Sequence, residues 1–228
     1  MNGYVNLYGA AATSVAVRDS LFTLAGTRAI TKAKQGHPKV YGWMVDYFYN
    51  GFESYGINSG IEMLQQYLND PRCLTAKRTA ILKRLEGIST LVPGALAPDF
   101  LIGDSSGNYA NFHSLHNKKY KLVLFWSASC SHCTELVTSL NKWYHEKGSG
   151  ETDIVAISVD ETPEEIQTWK NAILPLKDWI HSRPDGGVNS KEAKAYFILS
   201  TPFMILVESN SNKILALPRA AEELFSQL

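Results

Sequence analysis

The chain has 228 residues, 45% of them hydrophobic and 19% charged, and its 22 basic and 22 acidic side chains cancel. That balance carries no signature of disorder and nothing that suggests a nucleic-acid-binding surface, and the length allows one large domain or two ordinary ones. Three cysteines are too few for a disulfide scaffold, and no run of about 18 apolar residues is present to span a membrane.

The first stretch, Met1 to Val17, has no basic start followed by an apolar core, so it does not read as a signal peptide. Up to about residue 92 the pattern is helical. Val15, Phe22, Ala25 and Ala29 form one stripe, and Val40, Trp43, Met44, Tyr47 and Phe48 form a second. Ser59-Gly60-Ile61-Glu62 reads as a capping box opening a third helix with Ile61, Leu64 and Leu68, which Pro71 stops. Ile81, Leu85 and Ile88 give a fourth apolar face. Four amphipathic segments with short connections predict an all-α bundle over residues 1–92. The aromatic cluster from Tyr41 to Phe52 reads as packing, and Cys73 as a small apolar residue.

Leu91-Val92-Pro93-Gly94 ends the helical periodicity and marks a domain boundary, with a second domain over 93–228. Asp99 to Ile102 and Tyr109 to Phe112 flank Gly103-Asp104-Ser105-Ser106-Gly107, a hairpin pattern. Lys121 to Trp126 reads as a buried strand, and Leu136, Leu140 and Trp143 define the helix after it. A strand over Ile154 to Val159 precedes Thr162-Pro163-Glu164-Glu165, a capping box with proline at the first helical position. Its helix carries Ile166, Trp169 and Ile173. A helix around Ser190 to Phe197, strands at Phe203–Val207 and Ile214–Leu217 with a turn at 210–212, and a last helix from about Ala220 complete the chain. Strands alternating with helices predict an α/β domain whose sheet is covered on both faces.

Between the strand and the helix stands Cys130-Ser131-His132-Cys133. A thiol at a helix N-terminus meets unsatisfied N–H groups and the positive end of the macrodipole, which favour its thiolate, the reactive nucleophile. The second thiol, one turn in, is within reach to close a disulfide. A zinc site is disfavoured, because one such pair supplies two of four ligands and His37, His113, His116, His145 and His181 are scattered.

Residues 93–228 resemble the thioredoxin superfamily, and within it the TlpA/ResA-like thiol-disulfide oxidoreductases of the bacterial envelope. Ala97-Pro98-Asp99-Phe100, Phe125-Trp126, the dithiol motif and Thr201-Pro202 carry that resemblance. It implies a thioredoxin-like fold, a central mixed sheet flanked by helices, behind an all-α domain. It implies Cys130 as nucleophile, Cys133 as resolving thiol and a cis Thr201–Pro202 bond beside them. It also implies a substrate-side surface made by Trp126, Ser129, Thr201 and Pro202. No cofactor is implied beyond the redox-active disulfide Cys130–Cys133. The partners would be protein thiols and disulfides and an upstream redox protein, in a periplasmic or envelope location with the leader absent from this sequence, or in the cytoplasm.

Departures from the pattern are informative. His132 replaces the usual proline and is expected to tune the potential. Known potentials run from roughly −270 mV in thioredoxin to roughly −120 mV in DsbA, which also has histidine there. Leu124 occupies the position of the buried thioredoxin acid, and Leu136 that of the ResA-like glutamate. Glu135 is turned roughly 100° away and reads as a solvated charge. Two other classes share the fold. A peroxiredoxin-like peroxidase would want proline and threonine or serine where Val123 and Ser127 stand, and a non-catalytic binding module would need no dithiol.

Overall fold

In this computed structural model, residues 2–103 and 109–228 are described. The chain divides into two compact units, Met1–Ser89 and Thr90–Leu228.

The first unit is all-helical: α1 (Asn2–Gly9), α2 (Val15–Ala33), α3 (Pro38–Tyr55), α4 (Asn58–Leu68) and α5 (Arg78–Thr90). The first of these is additional to the four segments read from periodicity. Ser14 caps α2 by accepting from the Val17 N–H, and Pro38 opens α3. The buried face of α3 is Tyr41, Gly42, Val45, Phe48, Tyr49 and Phe52, whereas Val40 and Trp43 of the predicted stripe are exposed. Mixed aromatic and aliphatic residues cover most of this helix, so its stripe has no unique phase in the sequence. Gly42 is fixed by contact: a Cβ there would stand 2.3 Å from the Leu74 carbonyl oxygen. The capping box at Ser59 does not form. Helix α4 starts two residues earlier, at Asn58 with Ile57 as its cap, and the Ser59 hydroxyl pairs with that of Thr23 at 3.3 Å. The aromatic cluster is core, with Tyr41, Phe48, Tyr49 and Phe52 buried among Ile57, Ile61 and Leu64.

The second unit begins with β1 (Leu101–Gly103) and β2 (Tyr109–Asn111), an antiparallel pair. The turn expected between them, at 104–107, lies outside the described residues. Then follow β3 (Tyr120–Trp126), α6 (Ser131–Glu146), β4 (Thr152–Ser158), α7 (Pro163–Ala172), β5 (Ile180–Ser182), α8 (Lys191–Ala195), β6 (Phe203–Glu208), β7 (Ile214–Ala216) and α9 (Ala221–Phe225). The capping box at Thr162 forms as read, with the Glu165 carboxylate returning to the cap backbone.

Five strands make one mixed sheet in the order β5-β4-β3-β6-β7, with β3 parallel to β4 and antiparallel to β6. The short edge strand β5 is not announced by hydrophobic pattern. Strand β3 is buried on both faces, and its alternation decides which core each residue joins. Val123 and Phe125 pack with Phe100, Phe112, Tyr196 and Ile205 on one face. Leu122, Leu124 and Trp126 pack with Cys133, Val137, Leu140 and Tyr144 of α6 on the other. This second contact seats the dithiol helix on the sheet; truncating a buried leucine such as Leu140 to alanine would cost about 2–5 kcal/mol.

Candidate active site

Register brings the site together. Trp126 pairs with Ser158 in the parallel ladder and Phe125 with Phe203 in the antiparallel one. The segments leaving β3 and β4 and the one entering β6 therefore share an edge of the sheet. Residues 127–130, 159–161 and 200–202 lie there, the end at which α/β sheets build their sites.

Cys130 is the N-cap of α6, with extended backbone (φ −97°, ψ 120°), and its side chain makes no capping hydrogen bond. The sulfur is half-buried and points to the Thr201 carbonyl oxygen at 3.9 Å. The Thr201–Pro202 bond is cis, as the resemblance implies. Cys133, one turn along, is 0% exposed in the α6 core. Burial pushes its thiol up to about 11; the Thr201 side chain and the Ser127 backbone oppose the rise, and the adjacent Cys130 adds to it. Both cysteines are unbridged thiols. One sulfur is reachable at a helix mouth and its neighbour is sealed beneath it.

Residues 93–201 match the family model described as the AhpC/TSA family. The second unit belongs to the thioredoxin superfamily. This thioredoxin-like domain is similar to the thioredoxin domain of a thiol-disulfide oxidoreductase from Bacteroides vulgatus, at 29% identity over 60% of this chain and 95% of that one, TM-score 0.51. A thioredoxin-like protein from Bacteroides caccae shares the fold over 92% of this chain and 77% of its own, at 18% identity and TM-score 0.62. No curated protein matches the chain. The thioredoxin-like domain thus has the fold of the thiol-disulfide oxidoreductases.

His132 is exposed at the second residue of α6, and Ser129, Thr201 and Pro202 stand at the rim, exposed or half-buried. Trp126 requires a correction. It is 0% exposed on the α6 side of the sheet, so a substrate cannot touch it; it packs beneath the dithiol. Alternation along β3 turns it inward. Glu135 is exposed on α6, and Leu124 and Leu136 pack with the core beneath that helix.

The sequence reading missed Asp160. This residue is 1% exposed, and its carboxylate lies under the link from β3 to Cys130. One signal was present: an acid directly after the hydrophobic strand Ile154–Val159, beside the end of the strand that carries the dithiol. Among the described residues no group of three or more His, Cys, Asp or Glu side chains is placed to hold a metal ion, and no helix is long and apolar enough to cross a membrane.

Proposed function

We propose that the thioredoxin-like domain is a thiol-disulfide oxidoreductase acting on protein dithiols and disulfides, with Cys130 as nucleophile and Cys133 as resolving thiol. The observation that carries this is the pairing of a reachable Cys130 sulfur, 3.9 Å from the Thr201 carbonyl, with a wholly buried Cys133. The Cys130 thiolate attacks a substrate disulfide, forming a mixed disulfide and releasing one substrate thiolate, which takes up a proton. Cys133 then attacks Cys130, gives up its own proton, and frees the second substrate thiol as the internal disulfide closes. The reverse sequence oxidises a substrate dithiol. Ser129, Thr201 and Pro202 form the rim against which an extended substrate segment lies, its backbone pairing beside the cis bond. His132 tunes the potential. A second redox protein resets the pair, and the TlpA/ResA resemblance favours the bacterial envelope as the place of work.

A peroxidase is the second reading, favoured by the AhpC/TSA match over residues 93–201. Against it, the Ser127 hydroxyl donates to Asp160 at 2.5 Å, and Val123 is buried where that chemistry wants proline. Dithiothreitol-driven insulin reduction separates the classes. Turnover by the native chain, lost in Cys130→Ser, supports exchange. Fast oxidation of Cys130 by peroxide in stopped flow without insulin turnover would support the peroxidase, and neither activity would support a binding module.

A further inference from the structure

Asp160 takes no part in the chemistry above, yet it is a buried carboxylate held on every side. Its Oδ1 accepts from the Ser127 hydroxyl at 2.5 Å, and its Oδ2 from the Ala128 N–H at 3.0 Å and the Ser158 hydroxyl at 2.8 Å. Its own N–H donates to the Ser158 hydroxyl oxygen at 3.0 Å, and its carbonyl accepts from Arg183 Nη1 at 3.5 Å. A buried carboxylate is tolerated only where such donors replace its hydration.

Two of the three donors to the carboxylate come from the short link between β3 and Cys130. Ser127 carries the connection onward. Its hydroxyl oxygen accepts from the Ser129 N–H at 3.1 Å, its carbonyl accepts from the Cys130 N–H at 3.2 Å, and its backbone faces the Cys133 sulfur. One carboxylate therefore fixes a turn that touches both cysteines.

Resting on the exchange reading above, we propose that Asp160 is the positioning residue of the dithiol, holding the 127–129 turn so that the Cys130 and Cys133 sulfurs are presented to one another for ring closure. Asp160 contacts neither sulfur nor substrate, so its effect is on geometry. Disulfide closure depends on how often the two sulfurs meet in line, an effective concentration that a loosened turn lowers. The measurable reaction is balanced: the reduced pair and one glutathione disulfide give the internal disulfide and two glutathiones, two electrons and two protons passing to glutathione.

The test is the equilibrium constant of that reaction, read by alkylation and mass spectrometry on the full chain, with unfolding midpoints measured separately. Asp160→Ala is expected to lower the constant by about tenfold, a potential less reducing by about 30 mV. Asp160→Asn should fall between, because its amide oxygen can still accept from the Ala128 N–H while the Ser127 hydroxyl turns to accept. If Asp160→Ala does not fold, Ser127→Ala decides, with a smaller shift in the same direction expected. A merely structural aspartate would change unfolding and leave the constant alone. An unchanged constant in folded Asp160→Ala, or in Ser127→Ala where that variant must serve, overturns the proposal while leaving the exchange reading standing. A native chain that never equilibrates with glutathione overturns both.

Discussion

The Cys130 sulfur lies 3.9 Å from the carbonyl oxygen of Thr201, a residue that stands 71 positions later in the chain. Three pieces of local structure create that contact. Strand β3 ends at Trp126, helix α6 takes Cys130 as its cap, and the antiparallel register of β3 with β6 draws the segment before Phe203 alongside. Thr201 also reaches the second cysteine through its side chain. Both thiols are thus read by one residue, whose bond to Pro202 is cis.

Cys133 remains a protonated thiol well above neutral pH. Burial lifts it from 9.0 to about 11, so the folded state favours the neutral form. The reduced protein is expected to have that stability in full below about pH 9 and to lose it as pH climbs toward 11. In the folded, reduced chain, iodoacetamide should label Cys130 at pH 7 and leave Cys133 unmodified until strongly alkaline pH. Equal labelling of the two at pH 7, read by mass spectrometry, would contradict the burial argument.

His132 is exposed at the second residue of α6, next in chain to the dithiol spacer Ser131. In the proposed exchange role, an imidazole at this position is expected to favour the Cys130 thiolate. His132→Ala should therefore make the dithiol more reducing, by about 30 mV for a tenfold change in its equilibrium constant. Titration against glutathione measures it. An unchanged potential would reduce His132 to a surface residue.

Trp126 supports the site through packing. Trp126→Ala should cost about 3–5 kcal/mol of stability in urea unfolding, as large-to-small aromatic changes in cores do. The indole N–H has no hydrogen-bond partner among the described residues, so Trp126→Phe should cost much less. Neither variant should alter substrate KM. A KM rise in Trp126→Phe with stability intact would return this residue to the substrate surface.

His181 gives an acid-side signature. Burial depresses its basicity below the ordinary 6.5, and its Nε2 bonds the Leu176 carbonyl oxygen at 2.8 Å. The unfolded chain takes the proton more readily, so stability is full above about pH 6.5 and declines as pH falls below it. His181→Gln should flatten that decline, measured as urea midpoints at about pH 7.5 and 5.5. Parallel curves for the two proteins would exclude His181 as the cause.

Where one residue type carried one chemical demand, the sequence was legible. The dithiol at a strand–helix junction, Thr201-Pro202 ahead of a strand, and the Thr162 capping box could each be seen without coordinates. Periodicity was less decisive where apolar residues were plentiful. On α3 the stripe through Val40 and Trp43 competed with the one through Tyr41, Val45 and Phe52, and packing against Ile57, Ile61 and Leu64 chose the second. At Ser59, tertiary contact with Thr23 displaced a local cap. Trp126 looked like a site residue because it adjoins the motif, but the two-residue alternation of a doubly buried strand turns it inward. Asp160 depended on a pairing between distant strands, which a lone acid after a hydrophobic run does not reveal.

The division of labour between the two cysteines is put to the test by mixed-disulfide trapping. Native, Cys130→Ser and Cys133→Ser chains are incubated with a disulfide-bonded protein substrate, quenched by alkylation and resolved without reductant. Cys133→Ser should accumulate a covalent adduct through Cys130, while the native chain turns over and Cys130→Ser forms none. Equal adducts from both variants, or an adduct formed through residue 133, would contradict the assignment.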